Sequence, residues 1–218
     1  MAREWKQEEK NRQKEIIISK AIEVFSKNGF KKTKMQDIAD LSGFSKGLLY
    51  LHFKTKEDLY ASILLKIYRE ALIEPEDDII NKNICPDDKI KKMAYMVLDL
   101  YKKYPEIISM IGSLSRKEFQ EKLSDEIKSE IDKLTRKGKE RFIIVIKEGI
   151  NKGIYKKELE YTKIGTLFFT ALHGVIFFYN DELIYHFLKD KENEPMEVYY
   201  SMMIDILLNG IKEKGDKK

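Results

Sequence analysis

Ser45, Lys46, Tyr50 and His52 fall within eight residues of one another, and six lysines (Lys31, Lys32, Lys34, Lys46, Lys54, Lys56) stand between positions 31 and 56 against only Asp37 and Asp40. Hydroxyl, ammonium, phenol and imidazole groups at that density suit hydrogen bonding and charge pairing to a polyanion, with phosphates and base edges as targets. The same lysines also suit a plain solvated surface. Residues for covalent or metal chemistry are scarce. The histidines His52, His173 and His186 are scattered, with no spacing typical of metal ligands. Neither a GxxxxGK[ST] nor a GxGxxG string occurs. Cys85, the single cysteine, stands beside Pro86 with no partner base nearby in sequence. The expectation is a protein with no catalytic residue, no metal and no cofactor.

The 218 residues carry a net charge of +4, and all of that excess lies in the first 60. The remainder is balanced, so a positive footprint sits at one end of the chain. With 43% hydrophobic and 36% charged residues the chain suits a globular fold. One cysteine excludes an internal disulfide framework and fits a reducing compartment. The charged start, MAREWKQEEKNRQKE, is unlike a signal peptide. The most apolar stretch, residues 167–179, is interrupted by Thr170, His173 and Gly174 and falls short of a membrane span. A cytoplasmic location is expected.

The elements that must position these side chains are helices, since apolar residues recur at three- and four-residue spacing and no strand alternation appears. The first is expected over residues 13–28, closed by Gly29. Thr33 and Gln36 read as a capping box for a short helix over 35–41. Ser42-Gly43-Phe44 reads as a turn, and Ser45 as the cap of a third short helix reaching about residue 53. Thr55 caps a fourth. A polar loop is expected over 74–83, then a helix from Pro86, a long helical region over 117–152 with a possible break near Gly138, and two apolar helices over 162–179 and 195–211. Segment 35–53, MQDIADLSGFSKGLLYLHF, fits a helix-turn-helix. Ala39 is small where two helices meet, Gly43 turns the chain, and Ile38, Phe44, Leu49 and Phe53 fix the crossing. The second helix of such a pair enters the major groove by its N-terminal residues.

The longer string TKMQDIADLSGFSKGLLYLHFKTKEDLY, with AIEVFSKNGFKKTKM before it, closely resembles the DNA-binding head of the tetracycline-repressor (TetR) family. The resemblance is densest over residues 21–64 and only architectural beyond about 75. It implies an all-α fold, with a three-helix helix-turn-helix head over 1–56 followed by a larger helical ligand-binding and dimerisation domain over 57–218. The implied function is a sequence-specific DNA-binding regulator. It would be a repressor that binds a pseudo-palindromic operator as a homodimer and is released by a small, largely apolar ligand. An activator or architectural DNA-binding protein without an inducer is the alternative. Expected DNA contacts are Thr33 and Lys34 at the second helix; Ser45, Lys46, Gly47 and Leu48 opening the recognition helix; and Tyr50, His52 and Lys56 on phosphates. Packing against the first helix is the other reading of Tyr50, and a surface imidazole without a role that of His52. Leu51 departs from the family, which usually has a polar or aromatic residue there.

Aromatic and methionine side chains after the head are candidates for the ligand pocket: Tyr68, Met93, Met96, Tyr101, Met110, Phe119, Phe142, Phe169, His173 and Phe177. The same residues also suit a plain core. His173, polar within an apolar helix, is the candidate orienting contact. The two last helices are apolar nearly all the way round, so more than one face must be covered. Leu167, Phe168, Ala171, Gly174, Val175, Phe178, Met203, Ile204, Leu207 and Leu208 are the expected dimer faces, with a single central core as the other reading.

Overall fold

In the computed structural model, which describes residues 2–105, 110–112, 114, 116–179 and 194–213, the first helix α1 (Ala2–Lys32) begins well before the expected residue 13. Its N-terminal part buries little. Exposed pairs one turn apart support it, Arg12 with Glu9 and Gln7 with Asn11. From Ile17 onward Ile17, Ile18, Ala21, Val24 and Phe25 make a buried stripe. Gly29 breaks the helix at φ 70°, ψ 164°, a conformation that a side chain opposes.

Helix α2 (Met35–Ser42) is capped by Lys34, whose backbone N–H donates to Asp37 Oδ2 at 2.8 Å. The capping residues are therefore Lys34 and Asp37, one position on from the expected Thr33 and Gln36. Gly43 turns the chain at φ 74°. In α3 (Lys46–His52) the Ser45 hydroxyl accepts from Leu48 N at 3.2 Å, and in α4 (Lys56–Tyr68) Thr55 Oγ1 accepts from Asp58 N at 2.9 Å, both as expected.

The expected loop over 74–83 is largely helical. A π-helical turn, Arg69–Ile73, follows α4 and leads into α5 (Glu74–Asn81), whose Pro75 sits in the first turn, where a missing N–H costs nothing. Then come α6 (Pro86–Lys103), the short α7 (Lys117–Gln120), α8 (Asp125–Asn151), α9 (Tyr161–Tyr179) and α10 (Met196–Ile211). The break in the long helical region lies between α7 and α8, and Gly138 is inside a continuous helix. No strand occurs among the described residues beyond one bridge between Tyr155 and Lys212. His186 lies outside the described residues.

Packing divides the chain into Met1–Ile67 with Ser109–Asp132, and Tyr68–Ile108 with Lys133–Lys218. This differs from a single cut at residue 56, because most of α4 and the α7 segment belong with the head. In the first unit Leu59, Ala61 and Ile63 of α4 are buried, Phe119 lies 5.2 Å from Phe30 and 6.1 Å from Tyr60, and the buried Asp58 accepts from Ser124 N at 2.9 Å. In the second unit Tyr200 O–H donates to Ala94 O, tying α10 to α6, and Tyr155 O–H donates to Asp87. Lys89, almost wholly buried, reaches Ile80 O at 2.7 Å and Glu148 at 2.8 Å.

Helix α9 buries Gly165, Phe168, Leu172 and Ile176, and α10 buries Tyr200, Ile204, Leu208 and Ile211. Among the described residues only one face of each is covered. Contrary to the expectation, α9 is by length and composition long and apolar enough to cross a membrane, a test that packed bundle helices also pass.

Candidate functional site

The head holds its short helices by a few fully buried contacts: Ile38, Ala39, Leu49 and Phe53 are each no more than 2% exposed, and Phe44 is half-buried. Phe44 N donates to Ala39 O at 3.2 Å, closing the turn around Gly43. That framework leaves one side of α3 to solvent. Ser45, Lys46, Gly47 and Tyr50 are exposed and Leu48 is half-buried. Lys46 Nζ sits 6.0 Å from the Tyr50 ring centre, so the phenol is turned to the cationic surface and away from α1 packing. Lys34 is exposed beside them. An added Cβ at Gly47 would meet only Ser45 Oγ at 3.9 Å, so its flatness is a property of the open surface.

Three expected phosphate ligands are otherwise engaged. Thr33 is 1% exposed and its hydroxyl donates to Gly29 O at 2.8 Å, closing the kink in α1. Lys56 donates to Phe30 O at 2.8 Å and Thr33 O at 2.9 Å and lies 4.3 Å over the Phe30 ring. It is a clamp on the end of α1, and burial lowers its pKa. His52 Nε2 donates to Gln13 Oε1 at 3.1 Å, while Nδ1 is buried and has no partner among the described residues. Burial, then Lys10 and Lys14, lower the His52 pKa, so the ring is neutral at pH 7 and adds no charge toward a phosphate. Sequence reasoning missed the groove that Trp5, Lys6, Glu9, Lys10 and Gln13 form with Leu51 and His52. Leu51 is 76% exposed there, and its unusual identity was the available signal.

The second unit encloses a cavity of about 50 Å³ lined by Tyr68, Leu72, Ile73, Glu76, Val97, Leu134, Thr135, Gly138, Phe142, Phe169 and His173. Of the ten expected ligand residues, Tyr68, Phe142, Phe169 and His173 meet here. Tyr101 is one hydrogen bond away, its hydroxyl 2.6 Å from that of Tyr68. The others do not line it. Met93 is fully buried core, Met96 borders a separate surface groove, and Phe177 is exposed. Met110 and Phe119 belong to the first unit. Helical spacing marks apolar faces without telling which face meets an empty space, so these side chains lie elsewhere. Glu76 was missed, though a carboxylate among Leu72, Ile73 and Ile79 at helical spacing was a visible anomaly. It is 2% exposed, with Oε2 3.3 Å from Arg141 Nε. Burial pushes its carboxyl up to about 8, with Arg141 acting the other way. Arg141 also donates to Ile73 O at 3.1 Å and Asp77 Oδ1 at 2.5 Å.

Among the expected dimer residues, Phe168, Ile204 and Leu208 are at most 2% exposed and belong to the chain's own core. Leu167 and Phe178 are exposed; Ala171, Gly174, Val175, Met203 and Leu207 are partly so. Tyr199, Met202 and Ile206 on α10, and Phe177 on α9, join them as exposed large apolar side chains. Among the described residues two adjacent helices thus present an uncovered apolar surface. Among the described residues no group of three or more potential metal ligands occurs.

Residues 17–63 match the family described as bacterial regulatory proteins, tetR family. The chain is 33% identical over 104 residues to the "Uncharacterized HTH-type transcriptional regulator YerO" of Bacillus subtilis, covering 46% of this chain and 35% of that one. Against the first two curated relatives it spans only 35% and 48% of their length. A longer match, 22% identical over 204 residues, covers 91% of this chain and 95% of the "Fatty acid metabolism regulator protein" of the same organism. Among solved structures, FadR from Bacillus subtilis in complex with stearoyl-CoA superposes with a TM-score of 0.67, at 19% identity over 90% of this chain and 98% of that one. That likeness establishes the shared helical fold.

Proposed function

We propose that this chain, whose residues 17–63 match the tetR family of bacterial regulatory proteins, is a member of that family and a transcriptional repressor binding a pseudo-palindromic operator as a homodimer, released by a small, largely apolar ligand. The observation that carries the reading is the exposed face of α3. Ser45, Lys46, Gly47 and Tyr50 stand clear of the core that Ile38, Ala39 and Leu49 build beneath them. Those residues suit groove-floor and phosphate contacts. Lys34, Lys31, Lys32 and Lys54, all exposed, supply the sequence-independent attraction. The regulator names of the relatives support a non-enzymatic role, and chromosomal DNA as partner puts that role in the cytoplasm.

The uncovered faces of α9 and α10 fit a second copy of the same chain. They are contiguous, apolar and carried by the two helices that pack most extensively on one another. A twofold pairing of such faces makes a four-helix arrangement that buries both. The ligand belongs in the second-unit cavity. Stearoyl-CoA, the molecule held by the FadR neighbour, is far larger than about 50 Å³, so this cavity as described suits a more compact molecule.

The deciding experiment is selection of bound duplexes from a random library by the purified protein at two salt concentrations. A palindrome with half-sites about one helical turn apart, bound more weakly at the higher salt, is the expected outcome. Recovery of no preferred sequence overturns the operator reading.

A further inference from the structure

His173 Nδ1 lies 2.7 Å from Phe169 O. A carbonyl oxygen only accepts, so Nδ1 carries the proton, and in the neutral ring Nε2 presents a lone pair. Nε2 is buried with no hydrogen-bond partner among the described residues. Burial lowers the pKa of this imidazole, keeping it neutral at pH 7. Phe169, Tyr101 and Tyr68 surround the ring, with centroids 4.4, 6.2 and 6.3 Å away. The Tyr68 and Tyr101 hydroxyls face each other at 2.6 Å. Each has one proton and one bond uses one of them, so the pair has a further O–H to donate.

An acceptor and a donor thus stand beside one apolar cavity. We propose that this cavity binds a compact, uncharged, apolar ligand carrying a hydroxyl group, which donates to His173 Nε2 and accepts from the Tyr68–Tyr101 pair. The proposal rests on the inducer reading and names its chemistry. Charged ligands suit the walls less well. Arg141 already faces Glu76 at 3.3 Å and Asp77 at 2.5 Å, which leaves no cationic surplus for an anion. Glu76, driven toward its neutral form by burial, offers a cation little.

Size adds a second consequence. A cavity of about 50 Å³ holds a few waters, whereas ~150 Å³ is the scale that admits benzene. A ligand of aromatic size must part the walls. Leu72 and Ile73 stand on the π-helical turn, a backbone form that is rare in helices and frequent at functional sites. Binding therefore favours a conformation in which that turn has moved.

The test titrates the full-length protein, with histidine rings labelled by nitrogen-15, against four matched probes at pH 7: toluene, benzyl alcohol, benzoate and benzylamine. The His173 signals are assigned by comparison with His173→Phe. Benzyl alcohol is expected to move the His173 Nε2 resonance and to bind about tenfold more tightly than toluene, with both charged probes weaker. The His173→Phe protein, its fold checked by circular dichroism, should lose that preference while still binding toluene. If it does not fold, Tyr68→Phe replaces it and should reduce the preference. Equal binding of toluene and benzyl alcohol, tighter binding of benzoate, a protonated Nε2 in the free protein, or no binding of any probe each overturns the proposal. Operator binding is followed in the same samples. A His173 shift with the operator still held keeps this site and sinks the inducer reading; operator release without a His173 shift does the reverse.

Discussion

Lys56 stands where a phosphate contact is expected, yet its ammonium is occupied inside the head, on Phe30 O, Thr33 O and the Phe30 ring. Lys56→Met keeps the length and removes the two charge-assisted bonds. It should destabilise the folded protein by about 1–3 kcal/mol in chemical denaturation. A lysine used only for phosphate would instead weaken DNA binding at unchanged stability. Glu76 makes a pH prediction. Its folded pKa, about 8, lies above the ordinary 4.5, so between those values the folded protein holds more protons than the unfolded chain, and stability falls as pH rises through the window. His173, lining the same cavity with a lowered pKa, works in the opposite direction around 6.5, and Arg141 and Asp77 face Glu76 from the other side. Comparison with Glu76→Gln isolates the carboxyl. The variant's stability should decline less from pH 5 to 8, and an identical slope would show that Glu76 stays ionised.

At the scale of elements, two glycines mark where neighbouring parts touch. A Cβ at Gly165 would lie 2.5 Å from Ile143 Cγ1 and 2.9 Å from the Ile143 backbone N, so α9 cannot carry a side chain there without moving off α8. Gly165→Ala should cost about 1–3 kcal/mol, read as a thermal midpoint lower by a few degrees. Gly174, one of the expected dimer residues, has nothing within 4 Å of an added Cβ. Gly174→Ala meets no neighbour and gains helix propensity of about 0.5–1 kcal/mol, so it should raise the thermal midpoint of the isolated chain slightly, and the pair separates an internal contact from an outward one. The helices around the head were legible because caps and turns are local: Ser45 and Thr55 cap as read, and Gly43 turns as read. The helix over 74–81 was not, because its acidic, proline-containing sequence resembles a loop until tertiary contacts through Ile79 and the buried Glu76 hold it.

For the whole molecule, the uncovered α9 and α10 faces carry the prediction of a dimer. Phe178→Glu combined with Ile206→Glu places charges on two exposed positions, 49% and 66% accessible, outside the buried core. The double variant should sediment as a folded monomer and bind operator DNA far more weakly than the parent, since each head would hold a half-site alone. A dimer that survives both charges would place the contact elsewhere. The sequence by itself determined the helical fold, the helix-turn-helix and the likeness of residues 17–63 to the tetR family. Each rests on periodicity, caps and a turn glycine, signals confined to a few neighbouring residues. Only the tertiary structure decided which polar groups remain available. Thr33 and Lys56 turn inward because the kink at Gly29 leaves backbone carbonyls that need donors. Likewise Tyr68, Glu76, Phe142 and His173, far apart in the chain, line one cavity because long-range packing leaves a small space between them, and among the described residues one ring nitrogen there has no partner.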